Sequence, residues 1–217
     1  MFDRRALDAF RNTLTVATRD LTGPQAQALL HDTARKERAR VLAEQRQRAG
    51  IAPTTMVAAD GRRGAPIEAA QRLVVIEYGY LREVVQEVLR ELIVRSPKRT
   101  GAFARGYAVL VNGAEIQALD QIGHDAAEVL IVNTMPYARR LEIGKSADGS
   151  PFVVQVRPRF IEAVALALRS RFGNVAQLWF NYFDLEGAYA LRRRGGSGKA
   201  RAAGAAIRYP GIRIVPL

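Results

Sequence analysis

The chain has 217 residues, 48% of them hydrophobic, enough for one core with an appendage or for two small domains. It has no cysteine, which excludes a disulfide framework, a thiolate nucleophile and any zinc or iron–sulfur site built on thiolates. With 33 Lys and Arg against 21 Asp and Glu the net charge is +12, which favours a polyanionic neighbour, although a merely solvated, Arg-rich surface explains the same number.

Leu7, Phe10 and Leu14, then Ala26, Leu29, Leu30, Ala34, Val41 and Leu42, recur at three-to-four spacing and predict a helical arm over residues 1–50. Thr22-Gly23-Pro24 marks a stop and restart within it, with Thr22 in capping position. The second helix carries Arg35, Lys36, Arg38, Arg40, Arg46 and Arg48, a density that predicts weak packing on its own chain and order only with a partner. Gly50, Pro53, Gly61, Gly64 and Pro66 read as a linker over residues 51–67. From Glu68 a long amphipathic helix is expected, with Val74, Tyr78, Leu81, Val85, Val88 and Leu92 on one stripe and an end near Arg95 or Ser96, before Pro97.

Phe103, Tyr107, Val109 and Val111 alternate as in a half-buried strand beginning near Arg105 and ended by Asn112-Gly113. A second strand is expected over Glu128 to Val132, antiparallel to the first, with a hairpin excursion or a disordered loop between them. Pro136 and Gly144 bracket a short helix carrying Tyr137, Ala138, Leu141 and Ile143. Phe152, Val154 and Val156 predict a brief extended segment, and Phe160 to Phe172 a helix with Ile161, Val164, Ala165 and Leu168 inward. Beyond Asn174 come Trp179, Phe180, Tyr182 and Phe183, then a basic tract with Arg192, Arg193, Arg194, Lys199 and Arg201, and an apolar edge strand or strand-like tail from Ile207 to Pro216. The expected fold is therefore α+β: a long amphipathic helix and a second helix on a small antiparallel sheet, with a helical arm and an extended tail. The expected division is an arm over 1–50, a linker over 51–67, a core over 68–173 and an aromatic, basic extension over 174–217.

Ser96-Pro97-Lys98-Arg99-Thr100-Gly101-Ala102-Phe103, directly after a helix, resembles the Ser/Thr-Pro turn ending in Thr-Gly of the neck and tail-completion proteins of tailed bacteriophages. Lys98-Arg99 departs from that family's hydrophobic-Asp pair. Asn133-Thr134-Met135-Pro136-Tyr137-Ala138, followed by Glu142 and Gly144, is similar to the same family's Asn-x-x-Pro-Tyr-Ala signature. The helix from Phe160 occupies the place of its last core helix, so that the resemblance spans about residues 70–172.

The resemblance implies a structural virion protein of the neck and tail region, synthesised in the host bacterial cytoplasm and forming a ring that joins the head portal to the tail around the DNA exit channel. Its implied partners are sister copies, in a six-fold or else a twelve-fold ring, and neighbouring neck, connector, tail-tube or tail-terminator proteins. In physical terms Pro97, Thr100 and Gly101 reverse the chain, Pro136 starts a helix, Tyr137 packs a ring on the sheet, and Glu142 pairs with Arg139, Arg140 or a neighbouring subunit. Arg35, Lys36, Arg38, Arg40, Arg192, Arg193, Arg194, Lys199 and Arg201 are the candidate contacts to DNA or to other subunits.

Enzymatic readings fare worse. Gly144-Lys145-Ser146 lacks the glycine that a phosphate-binding loop needs five residues earlier, where Arg139 stands. A metal-dependent nuclease built on Asp120 or Asp125 with Glu142 and Lys145 has the wrong spacing, and His31 and His124 sit in no ligand pattern. No cofactor, metal or catalytic residue is expected. No apolar run of roughly 18 residues predicts a membrane span, and Phe2-Asp3-Arg4-Arg5 does not open a secretory signal. The alternative function is a nucleic-acid-binding accessory protein that grips phosphate without reading sequence, although no DNA-reading motif accompanies the charge.

Overall fold

The computed structural model describes residues 13–17, 23–98, 100–145, 157–185 and 208–217, and its fold is α+β. It divides into two compact units: one runs to Glu83 and takes in Gly123–Asp125, the other holds Val84–Ile122 and Ala126–Pro216. The division does not fall in residues 51–67, which are built into the first unit.

The first unit is a four-stranded antiparallel sheet, in the order β1-β4-β2-β3, carrying one helix. Its strands are β1 (Thr13–Ala17), β2 (Thr54–Ala59), β3 (Arg62–Arg63) and β4 (Leu73–Gly79), and its helix is α1 (Pro24–Ala49). β4 replaces the start of the long helix expected from Glu68. Val74 and Tyr78 stand four apart, a spacing that suits either a helix face or a strand face; Ile76, between them, decides the matter. A helix would turn Ile76 away, whereas here Val74, Ile76 and Tyr78 are all buried on one side of a strand rich in β-branched residues. β1 likewise overturns the helical reading around Leu14: Leu14 and Val16 turn toward the core while Thr13, Thr15 and Ala17 are exposed. Leu7, Phe10 and Thr22 lie outside the described residues; Gly23 takes the N-cap position of α1, and Pro24 begins it.

α1 does pack on its own chain, contrary to expectation. Leu30 and Ala34 form a cluster with Ala59, Ile67, Ala70, Val74, Ile76 and Tyr78, so one face of α1 is packed on the sheet. Further along, buried Gln45 accepts a hydrogen bond from the Tyr80 hydroxyl. The supposed linker is two strands and a 3-10 turn (Ile67–Ala69), because Asp60-Gly61 makes a two-residue hairpin with positive φ at both positions, 47° and 81°. The Asp60 carboxylate also accepts the backbone N–H groups of Gln71 (2.7 Å), Arg72 (3.0 Å) and Leu73 (2.8 Å), fixing the entry into β4.

The second unit holds a five-stranded antiparallel sheet in the order β6-β5-β7-β9-β8. The strands are β5 (Tyr107–Val111), β6 (Ala114–Ile116), β7 (Val129–Asn133), β8 (Ala176–Phe183) and β9 (Tyr209–Pro216). The helices are α2 (Leu81–Arg95), which belongs to this unit from Val84 on, α3 (Ala102–Arg105), α4 (Ala138–Ile143) and α5 (Phe160–Phe172). α2 ends at Arg95 and α5 spans the residues expected of it. Phe103 lies in the single helical turn of α3 and not on the strand, which starts two residues later than expected. Asn112-Gly113 turns β5 into β6, and the Asn112 side chain accepts the Ala127 and Glu128 amides (2.9 and 3.1 Å), so the excursion between the paired strands is a hairpin. β9 is not an edge strand: it lies between β7 and β8 with Ile212 and Ile214 fully buried, and β8, containing Trp179, Phe180, Tyr182 and Phe183, is the edge. The segment 174–217 is thus integral to the sheet wherever it is described; Phe152, Val154 and Val156 lie outside the described residues.

The three amide bonds, the one to Gln71 foremost, hold the Asp60 carboxyl below its usual range. Its stabilising contribution is complete above the ordinary aspartate value and is lost as pH falls through the lowered one. Because the carboxylate is exposed and screened by solvent, Asp60→Ala is expected to cost only about 0.5–1 kcal/mol near neutral pH. Urea denaturation at graded pH checks this, and the difference from the wild type shrinks in acid.

Candidate functional site

Ser96, Phe103, Asn133 and Tyr137 of the two motifs meet in one largely buried assembly in the second unit, while Thr100 and Pro136 stay exposed. Its centre is Phe103, 2% exposed, whose ring meets those of Tyr107 (5.9 Å between centroids, edge-on), Tyr137 (6.0 Å) and Phe160 (5.7 Å). Ser96 is buried at the end of α2; its hydroxyl donates to the Leu92 carbonyl (2.7 Å) and shares a hydrogen bond with the Tyr107 hydroxyl (3.2 Å). Pro97 follows half-buried. The Thr100 hydroxyl accepts the Ala102 amide (3.3 Å), and Gly101, with φ of 68°, stands at the N-cap of α3. Burial pushes the Tyr107 hydroxyl well above its usual range, so it serves as a neutral hydrogen-bonding group.

Asn133, fully buried, locks the second motif onto the first. Its Nδ2 donates to the Phe103 carbonyl (2.8 Å) and its Oδ1 accepts the Met135 amide (3.2 Å). The Thr134 amide and hydroxyl both donate to the Gly106 carbonyl (2.8 and 3.1 Å). Pro136 is exposed in the turn that follows, Tyr137 takes the N-cap position of α4, and Ala138 is fully buried.

Glu142 corrects the expectation that it pairs with Arg139, Arg140 or a neighbouring subunit. It is 1% exposed, and its two carboxylate oxygens accept the Ile161 and Glu162 amides of α5 (3.1 and 3.0 Å). Arg159, at the N-cap of α5, offers that helix no side-chain cap, so a residue about twenty positions earlier supplies it. The Glu142 carbonyl also accepts the Arg159 amide (2.7 Å). Gly144 closes α4 with φ of 74°, and a β-carbon there would run into the Pro158 ring, so glycine is needed on both counts. Burial raises the Glu142 carboxyl above its ordinary value, against the opposing pull of the two amides.

The basic candidates fare differently. On α1, Arg35 pairs with Glu68 (2.6 Å), Lys36 with Asp32 (2.7 Å), and Arg40 with Glu37 and Glu44 (2.7 and 2.9 Å), while Arg38 donates to the Thr55 hydroxyl (2.7 Å). Arg192, Arg193, Arg194, Lys199 and Arg201 lie outside the described residues. His31 is bonded to the Ala70 carbonyl (2.8 Å). Among the described residues no group of three His, Cys, Asp or Glu is placed to hold a metal ion, and no helix is long and apolar enough to cross a membrane. Comparison with known proteins is silent: no family model, curated protein or solved structure matches the chain.

Sequence reasoning passed over Phe103 as the hub of the aromatic cluster and the capping role of Glu142. The first was legible in part, since Phe103 closes the first motif. The second had no local signal, because the amides it serves lie on a different helix.

Glu142→Ala leaves two amides of α5 without a partner and opens a cavity, and a loss of about 3–5 kcal/mol is expected. Glu142→Gln keeps one acceptor and costs about 1–3 kcal/mol. For a carboxyl whose folded value is raised, stability falls as pH rises from the ordinary glutamate value through the raised one and is level above it. The stability gap between wild type and Glu142→Gln is thus expected to widen as pH drops through that window, as read from denaturant midpoints.

Proposed function

We propose that the chain is a structural protein of the neck or tail-completion region of a tailed bacteriophage, one subunit of a ring joining head to tail around the DNA exit channel. The observation that carries this reading is how the motif residues are used. Ser96, Asn133, Thr134 and Glu142 spend their polar atoms on backbone groups and, for Ser96, also on the Tyr107 hydroxyl, inside the fold. Groups that serve catalysis must keep an atom for the substrate; these keep none, as befits motifs that shape an assembly unit.

Exposed apolar side chains add support. Leu166 (60% exposed), Val94 (52%), Ile143 (44%), Ile93 (43%) and Trp179 (39%) all belong to the second unit, where neighbouring subunits would cover them. The rival reading, a DNA-binding accessory protein using the basic face of α1, is weakened by the carboxylates that already neutralise Arg35, Lys36 and Arg40.

Deleting residues 1–50 is a poor test, since α1 and β1 help to form the first unit. A nonsense codon early in the gene is the cleaner one. In the phage that carries it, negative stain is expected to show DNA-filled heads beside free tails, with joining restored when the protein is supplied. Complete, infectious virions without the protein would sink the proposal.

A further inference from the structure

Among the described residues, one group of cations without ion pairs lies in the second unit, apart from those of α1. In the second unit, the Arg159 amide bonds the Glu142 carbonyl and Pro158 packs against Gly144, which brings residues 157–159 alongside the end of α4. Arg140, Lys145 and Arg157 are exposed there, and Arg139 lies with its guanidinium carbon 5.2 Å from the centre of the Tyr182 ring. Among the described residues two carboxylates lie on the same elements, Glu142 on α4 and Glu162 on α5, and both are spent. Glu142 is buried on the α5 amides, and Glu162 accepts two hydrogen bonds from Arg159, at 2.6 and 2.7 Å. Arg139, Arg140, Lys145 and Arg157 thus have no carboxylate in ion-pair contact among the described residues, unlike Arg35, Lys36 and Arg40.

We propose that Arg139, Arg140, Lys145 and Arg157, gathered where α4 meets the start of α5, form a surface that binds the phosphate backbone of nucleic acid without reading its sequence. Four cations without carboxylate partners suit a polyanion whose charges recur along a line, since Arg and Lys replace its counterions. An acidic protein segment offers the charge but not the even spacing of phosphates along a strand. The ring reading gives this surface its setting, the wall of the DNA channel, but the binding itself is a property of the purified chain.

The test is fluorescence anisotropy of a short labelled DNA duplex titrated with full-length protein across a range of salt. The variant Arg140→Ser/Lys145→Ser/Arg157→Ser is expected to bind at least about ten-fold more weakly near 0.1 M salt, and its slope of log affinity against log salt to be smaller by about 2–3. The charge-matched variant Arg35→Ser/Lys36→Ser/Arg40→Ser should bind within about two-fold of wild type, since those side chains are already paired. Arg140→Lys/Arg157→Lys should retain binding, which separates lost charge from lost folding. An α1 variant that loses as much as the patch variant overturns the assignment. So does a duplex displaced equally well by polyglutamate at matched charge, which would identify an acidic protein as the partner. A wild-type chain that ignores DNA also overturns it, while leaving the head-to-tail joining test untouched.

Discussion

The carboxylate of Glu142 is the contact on which the second unit depends. A helix of thirteen residues begins with amides that nothing in its own turns can satisfy, and α5 has no capping side chain at Arg159. Glu142 supplies both acceptor oxygens and, through its backbone carbonyl, also binds the residue before the helix. One residue of a six-residue helix therefore sets the position of a thirteen-residue one. The position matters because Phe160, the first residue of α5, carries a ring into the Phe103 cluster, and the inner face of α5 closes over β8 and β9. Removing a buried charge from water is costly, and here the two amides and the helix end offset part of that cost without an ion pair.

The Phe103 cluster translates that placement into the chain reversal after α2. Asn133 reaches from the end of β7 to the Phe103 carbonyl, Thr134 to that of Gly106, and Ser96 to the last turn of α2. Each bond satisfies a backbone group that a tight helix-to-strand turn would otherwise leave buried and unpaired. Two sequence motifs some forty residues apart are thus two halves of a single joint. That joint is a matter of shape, and it leaves the chemistry of recognition to the surface.

How much of this the sequence disclosed depended on whether the signal was local. Asn112-Gly113, the proline-to-glycine span of α4, the end of α2 before Pro97 and the whole of α5 are local signals and were readable as such. β4 was masked by the four-residue spacing of Val74 and Tyr78, which fits two periodicities, and only Ile76 separates them. Residues 51–67 have the glycine and proline content of a linker, yet Asp60-Gly61 is a hairpin turn, and weighting that dipeptide above the composition would have found β2 and β3. The interior place of β9 depends on its pairing with β7, about eighty residues away, and on β8, and no property of Tyr209–Pro216 alone reveals it. The candidate site divides the same way: the turn residues were recognisable, while the partner of Glu142 was not.

The two units have spent their surfaces unequally, and this bears on where an assembly would be made. In the first, Arg35, Lys36 and Arg40 of α1 are matched by its own acids and by Glu68, Arg38 bonds the Thr55 hydroxyl, and among the described residues only Leu29 is a large apolar side chain left exposed. In the second, five large apolar side chains remain in water among the described residues, and Arg139, Arg140, Lys145 and Arg157 are among the cations without an ion pair. Exposed aliphatics favour burial against a neighbour, and unmatched cations favour a polyanion, because each gains what the isolated chain does not provide. On the ring reading, both kinds of contact fall to the unit built on the Glu142 cap, so the interaction that holds the fold together also fixes the surfaces it presents.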